Sequence, residues 1–200
     1  MAEGELVYTI GHSNHSEAAF LALLEGAGID AVADVRSTPY SRRNPQFNRE
    51  TLGPALKRRG VAYVWLGEGL GARPADPALR RPDGSVDFER VAASPAFLAA
   101  IDRVRDGANR HKVALMCAER EPINCHRTIL IARHVAGLSV AIRHILGDGS
   151  IMDHEELENE ILCQVFPEGR NLFSSSDDPL LDQAYDKLAK KMTSRSSGVG

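Results

Sequence analysis

Residues 112–137 read KVALMCAEREPINCHRTILIARHVAG, and this stretch decides the fold. A short apolar run, Lys112 to Cys117, has the length and composition of a buried strand. A polar turn with Pro122 follows. Apolar residues then recur at helical spacing until Gly137 supplies a stop. Asn124 is placed to cap that helix, which would put Cys125, His126 and Arg127 in its first turn. A strand running directly into a helix is half of a βαβ unit, the building block of parallel sheets.

The same alternation extends in both directions. Leu6–Ile10, Ala31–Val35, Val61–Leu66 and Ser139–Leu146 read as four more strands. Between them, Ser16 is placed to cap a helix carrying Phe20, Leu23, Leu24 and Ala27. Thr51 is placed to cap another that ends near Arg59. Ser94-Pro95 opens a third, with Phe97, Ile101 and Val104 as its apolar stripe. An acidic helix is expected from about Asp153 to Val165. Residues 67–85, rich in glycine and proline, read as a long binding loop. The expected fold is a three-layer α/β domain. It has a mainly parallel sheet of about five strands and helices on both faces, and is Rossmann-like without the dinucleotide glycine fingerprint. Residues 1–170 form this single domain. Residues 171–200 read as a Ser-rich linker, an amphipathic helix over 178–192 and a disordered end.

The chain has 200 residues, 43% hydrophobic and 26% charged. That balance excludes a collagen-like, mucin-like or wholly disordered chain. No run approaches the roughly 18 apolar residues of a membrane-spanning helix, so no membrane partner is expected. The first residues lack the basic and apolar regions of a secretory signal. Three cysteines in a chain long enough to build its own core do not suggest a disulfide scaffold, so a cytoplasmic location is expected. The net charge of −3 speaks against indiscriminate coating of nucleic acid. The charge is uneven, however. Arg36, Arg42, Arg43, Arg49, Lys57, Arg58 and Arg59 face only Glu50 over their stretch, which would suit an anionic ligand.

In a parallel sheet, ligands gather beyond the carboxyl ends of the strands. His12, Asp34, Arg36, Cys117 and Glu119 all fall at such ends. Cys125, Cys117, His12, His126, Asp34 and Glu119 are the candidate catalytic residues. The first turn of the helix after Asn124 would hold an anion and favour a thiolate. Histidines near neutrality move protons, and Asp34 would orient His12 or Arg36 or act as a base. Ser13, Asn14, Arg36, Arg42, Arg43, Phe47, Asn48 and Arg127 are the candidate substrate ligands. Arginines grip phosphate, while Tyr40 and Phe47 present planar faces for stacking. Cys163 reads as core. His144, Asp148 and His154 match no standard metal spacing.

The motifs YTIGHSNHS, VADVRSTPYSRRNPQFN, LMCAEREPINCHR and the HI-x-x-DG stretch occur in this order. Together with the loop after the third strand, they resemble the domain of unknown function 488 family over about residues 7–155. The resemblance implies a bacterial or archaeal cytosolic domain whose hallmark is a cysteine pair, here Cys117 and Cys125. It implies no assigned reaction.

Three functions are carried forward. The first is a thiol-dependent enzyme, a hydrolase or transferase, acting on a small anionic substrate that is phosphorylated or nucleotide-like. The second is a nucleic-acid or nucleotide binding module built on the arginine run. The third is a metal site formed by Cys117, Cys125 and His126. No cofactor is expected unless that metal site is real. The C-terminal helix is a candidate homodimer contact.

Overall fold

A computed structural model describes residues 5–167 and 179–195. The expected Ser-rich linker and the last five residues lie outside the described residues. In chain order the elements are β1 Leu6–Gly11, α1 Glu17–Gly26, β2 Ala31–Asp34, α2 Arg49–Arg58, β3 Ala62–Trp65, α3 Gly67–Leu70, α4 Phe88–Ala92, α5 Pro95–Ala108 and β4 Val113–Cys117. A wide-turn π-helix, Arg127–Ala132, then continues as α6, Arg133–Ala136. β5 Ala141–Ile145, β6 Ile151–Asp153, α7 His154–Val165 and α8 Pro179–Arg195 complete the fold.

The sheet has six strands in the order β3-β2-β4-β1-β5-β6. Five run parallel, and β6 pairs antiparallel with β5 across a tight turn. The extra strand is three residues long, too short for alternation to announce it. Successive β1 side chains point to opposite faces. Val7 enters a core under α4, α5, the π-helix, α7 and α8. Tyr8 and Ile10 enter a second core under α1 and α2, with Phe20, Leu24, Leu52 and Leu56. The result is the expected three-layer α/β sandwich, Rossmann-like in plan.

β1 and β4 lie side by side at the centre, with Gly11 opposite Cys117. The connection leaving β1 leads to β2 on one side, and the one leaving β4 leads to β5 on the other. Their carboxyl ends therefore form a topological switch point, where an open α/β sheet offers a crevice.

Several local expectations shift. Cys125 is extended (φ −122°, ψ 143°), and its carbonyl accepts from the N–H groups of Thr128 and Ile129. Cys125, not Asn124, is therefore the residue at which the helix begins. Asn124 belongs to a preceding 3-10 turn, Pro122–Asn124. Helix α2 starts at Arg49, before Thr51, and Pro54 sits inside it. Residues 67–85 contain α3 and a further 3-10 turn at Pro77–Leu79.

Helix α8 covers the span expected for the tail, and its apolar stripe packs into the chain's own core through Leu181, Ala184, Tyr185 and Leu188. Arg133 reaches Asp182 at 2.7 Å and Asp186 at 3.1 Å on the same helix. A buried polar chain also ties α8 to the sheet. Thr9 Oγ1 meets His144 Nδ1 at 2.8 Å, and His144 Nε2 meets His154 Nδ1 at 3.0 Å. His154 Nε2 lies 3.4 Å from the Tyr185 hydroxyl and 3.4 Å from Glu158, and the Tyr185 hydroxyl donates to Glu158 at 3.0 Å. Asp148 stands apart, holding the β5–β6 turn through Ser150.

This chain makes the fold acid-sensitive. Burial pushes His144 down to about 2, helped by His154 and Arg127, and pushes His154 down to about 4. Both are neutral when folded, whereas the unfolded chain protonates them near 6.5. As pH falls below that value the unfolded state takes up protons first, and stability drops until the folded pKa values are reached. Burial raises the Glu158 pKa, which works in the opposite sense. His144 and His154 are expected to account for about 2 to 4 kcal/mol of loss between pH 7 and pH 5, and His12 and His134, whose pKa values burial also lowers, add to it. Urea unfolding at the two pH values measures it. Equal stabilities at both would refute the role given to this chain.

Candidate functional site

The hydrogen bonding of β1 to β4 continues past the strands. The His12 N–H donates to the Cys117 carbonyl at 2.8 Å, and the Ser13 N–H to the Ala118 carbonyl at 3.0 Å. The Val35 N–H donates to the Met116 carbonyl at 3.0 Å. These bonds carry His12, Arg36 and Cys117 to one edge. Ser13 takes a positive φ of 48° as the chain turns away toward α1.

At that edge lies a cleft of 820 Å³. Cys117, Cys125 and His126 line it, as do His12, Ser13, Asn14, Arg36, Tyr40, Glu119 and Asn124. Arg73, Arg120 and Lys191 add cations, and among the described residues Glu119 is the only carboxylate on its lining. Leu188 and Met192 bring part of α8 to its wall.

Cys117, Cys125 and His126 are all buried, and their ligating atoms lie within 4.8 Å of one another. His126 Nε2 faces the Val35 carbonyl at 3.1 Å. That contact requires a proton on Nε2 and leaves the Nδ1 lone pair free. Nδ1 lies 3.5 Å from Cys117 Sγ and 3.8 Å from Cys125 Sγ. The two thiols are electrostatically unequal. A hydrogen bond from Cys125 draws Cys117 down to about 7, with further help from Arg127 and from the backbone of Glu119 and Ala118. Burial, followed by the neighbouring Cys117, pushes Cys125 up. These three residues could hold a metal ion.

His12 has the opposite tautomer. Its Nδ1 donates to the Ser13 carbonyl at 2.8 Å, and its Nε2 accepts from Arg36 at 3.1 Å. Its ring stacks on Phe47 with centroids 4.2 Å apart. Burial and the Arg36 charge push its pKa down to about 4. With both nitrogens engaged, His12 is a support for Arg36. Arg36 itself is clamped by Asp34 through Nε at 2.9 Å and a terminal nitrogen at 2.6 Å, and it also donates to the Phe47 carbonyl at 2.8 Å. Asp34 is fully buried and also accepts from the Tyr63 hydroxyl at 2.7 Å.

The remaining candidates separate. Arg127 is fully buried and grips the carbonyls of Glu119 at 2.5 Å and Arg120 at 2.9 Å, so its guanidinium braces the loop after Cys117. Phe47 is buried beneath His12 and presents no face to the cleft. Asn48 accepts from the Ser41 N–H at 2.6 Å and shapes the basic loop. Arg42 and Arg43 are exposed and lie off the cleft lining. Cys163 is half-buried on α7. The sequence reading missed Arg73, Tyr63, the Val35 carbonyl and the α8 residues. Tyr63 and the α8 residues stand outside the quoted motifs, Arg73 is one of several arginines in a long loop, and Val35 acts through a backbone carbonyl, which has no sequence signature.

An α/β sheet with a buried Cys/Cys/His cluster at its switch point defines the class of protein to which this geometry belongs. The family described as domain of unknown function DUF488 matches residues 16–133, more than half of the chain, and the chain belongs to that family. Both clustered cysteines and His126 lie within the matched span, whereas α8 lies outside it. No curated protein and no solved structure matches the chain. Among the described residues no helix is long and apolar enough to cross a membrane.

Proposed function

We propose that the chain is a thiol-dependent enzyme that binds a small anionic substrate, phosphorylated or nucleotide-like, in the 820 Å³ cleft. It acts on that substrate with the Cys117–Cys125–His126 cluster. The observation that carries this reading is the pairing of a buried reactive cluster with a cationic entrance. Arg73, Arg120 and Lys191 stand around the cleft, where Glu119 is the one carboxylate of the lining among the described residues, and Glu121 pairs with Arg120 at 3.5 Å. Such a field raises the local concentration of an anion, and the convergence of reactive types in one concavity is the usual mark of an active site.

Roles follow from the geometry. Arg36, locked by Asp34 and His12, is a fixed charge that needs no reorganisation when an anion arrives. Ser13 and Asn14 are hydrogen-bonding groups at the mouth, and exposed Tyr40 is the planar face for a base or other ring. Glu119 is the rim group for proton transfer. Arg127 is a positioning residue, and Arg42 and Arg43 steer from outside. A nucleic-acid module is a weaker fit. Of its two stacking rings, Tyr40 is exposed but Phe47 lies beneath His12.

The test is turnover of a panel of phosphomonoesters, nucleotides and phosphoanhydrides, followed by mass spectrometry. Cys117→Ser is expected to lower turnover about 1000-fold or more while the thermal midpoint stays close to wild type. Undiminished turnover by a Cys117→Ser, Cys125→Ser double variant would overturn the reading. So would a failure of every panel member to bind at low salt.

A further inference from the structure

We propose that Cys117, Cys125 and His126 form a three-ligand site for a soft divalent metal ion of the zinc class, with the fourth coordination position facing the cleft. The inference rests on the reading of the cleft as the functional site, and it names the group that sits at its base.

The first argument is a count of lone pairs. With its Nε2 proton directed at the Val35 carbonyl, His126 has a single lone pair on Nδ1. Two sulfurs converge on that one nitrogen, at 3.5 and 3.8 Å. A catalytic thiol–imidazole dyad needs one sulfur there. The lone pair can accept one S–H, so the second thiol gains nothing from that nitrogen and has the other sulfur as its hydrogen-bond partner. A cation lying among the three atoms satisfies both sulfurs and the nitrogen together.

The second argument is dimensional. A tetrahedral zinc with ordinary Zn–S and Zn–N bonds sets sulfur and nitrogen about 3.6 Å apart, and two sulfurs about 3.8 Å apart. The sulfur–nitrogen distances bracket the first value, and all three atoms fall within 4.8 Å.

The third argument is orientation. A histidine that ligates metal usually donates its other N–H to a carbonyl or carboxylate, which fixes the ring and the tautomer. The Val35 carbonyl does this here, and it is itself held in place because the Val35 N–H is bonded to Met116 beside it.

The ligand set also names the metal and the type of site. Two thiolates and an imidazole suit zinc-like ions and disfavour magnesium or calcium, which require oxygen. Structural zinc sites are closed by four protein ligands, whereas sites that bind substrate keep a position open. Among the described residues, no fourth histidine, cysteine or carboxylate joins the group. All three ligands line the cleft, so the open position is reached from it and takes water or an oxygen of an anionic ligand. Two thiolates offset a divalent charge, so the loaded centre carries no net charge into the interior.

The experiment uses the full chain, purified without chelator or added metal. Native mass spectrometry and elemental analysis are expected to find one zinc-class ion per chain. It should be retained in Cys163→Ser and lost in Cys117→Ser, Cys125→Ser. Loading wild-type protein with Co(II) is expected to give sulfur-to-cobalt charge-transfer absorption and intense tetrahedral visible bands. That readout depends on no variant folding correctly. Added phosphate should perturb the visible bands if the open position faces the cleft. Absence of those absorptions at a stoichiometric Co(II) load, with Cys117 alkylated equally fast with and without Zn(II), would overturn the metal site. Turnover lost on cysteine substitution would still stand in that case and support a metal-free thiol. Metal bound to a chain that neither binds nor converts any anion would instead overturn the proposed function and keep the site.

Discussion

Asp34→Ala is expected to destabilise the protein by about 3 to 5 kcal/mol, the usual cost of leaving a buried charge without its partner. The Asp34 carboxylate is fully buried and holds the Arg36 backbone N–H at 3.1 Å, the Arg36 guanidinium through two nitrogens and the Tyr63 hydroxyl. Its removal leaves a guanidinium that is itself 6% exposed, with the Phe47 carbonyl and His12 Nε2 as its remaining acceptors among the described residues. In a chain of this size the thermal midpoint should fall by roughly 6 to 20 °C. The control is Asp34→Ala combined with Arg36→Met, which removes the orphaned charge and should recover a large part of the loss. A double variant no more stable than Asp34→Ala alone would show that the pair is not the source of the effect. The substitution should also loosen the cleft. Arg36 and His12 are fixed to each other, and His12 is fixed to Phe47 by stacking.

Gly11→Ala is the second large effect. Gly11 ends β1 opposite Cys117, and a methyl group there would lie 1.9 Å from the Glu119 carbonyl oxygen and 2.9 Å from that of Arg120. Both obstacles are backbone, so no side chain can swing aside. The same two carbonyls are the acceptors of the buried Arg127 guanidinium. Relief of the clash must pull them away from Arg127 and move the loop that leads from Cys117 to Cys125. Overpacking of this kind costs about 1 to 3 kcal/mol, and weakened hydrogen bonds to a buried cation add about 1.5 to 3 kcal/mol. Thermal unfolding gives the stability change. The cobalt absorption of the variant reports on the cluster, and a weakened or altered band is the expected result. A variant with wild-type stability and an unchanged spectrum would contradict the packing described.

The two substitutions act on the two halves of one edge. Asp34 fixes the charged half, with Arg36 and His12. Gly11 and Arg127 fix the half that carries the two thiols. The Val35 carbonyl, at the end of β2, joins them through His126.

The sequence by itself determined the mainly parallel sheet and which residues fall at the carboxyl ends of its strands. Strand and helix periodicities are local signals, and KVALMC followed by CHRTILIARHVAG carries both within one stretch. Parallel connection then forces residues after different strands to one edge, so the order of strands along the chain already groups His12, Arg36 and Cys117. β6 escaped because three residues paired across a tight turn leave no pattern. The tertiary structure alone decided which way side chains face. Arg127 turns inward because the carbonyls of Glu119 and Arg120 offer it partners. Phe47 is buried because His12 stacks on it, and Arg42 and Arg43 face solvent off the cleft. It also decided tautomers, since the proton on each histidine follows the carbonyl it meets, Ser13 for His12 and Val35 for His126. The part of α8 in the cleft wall was equally hidden, because the spacing of Leu181, Ala184, Tyr185 and Leu188 says that a face will be buried, but not against what.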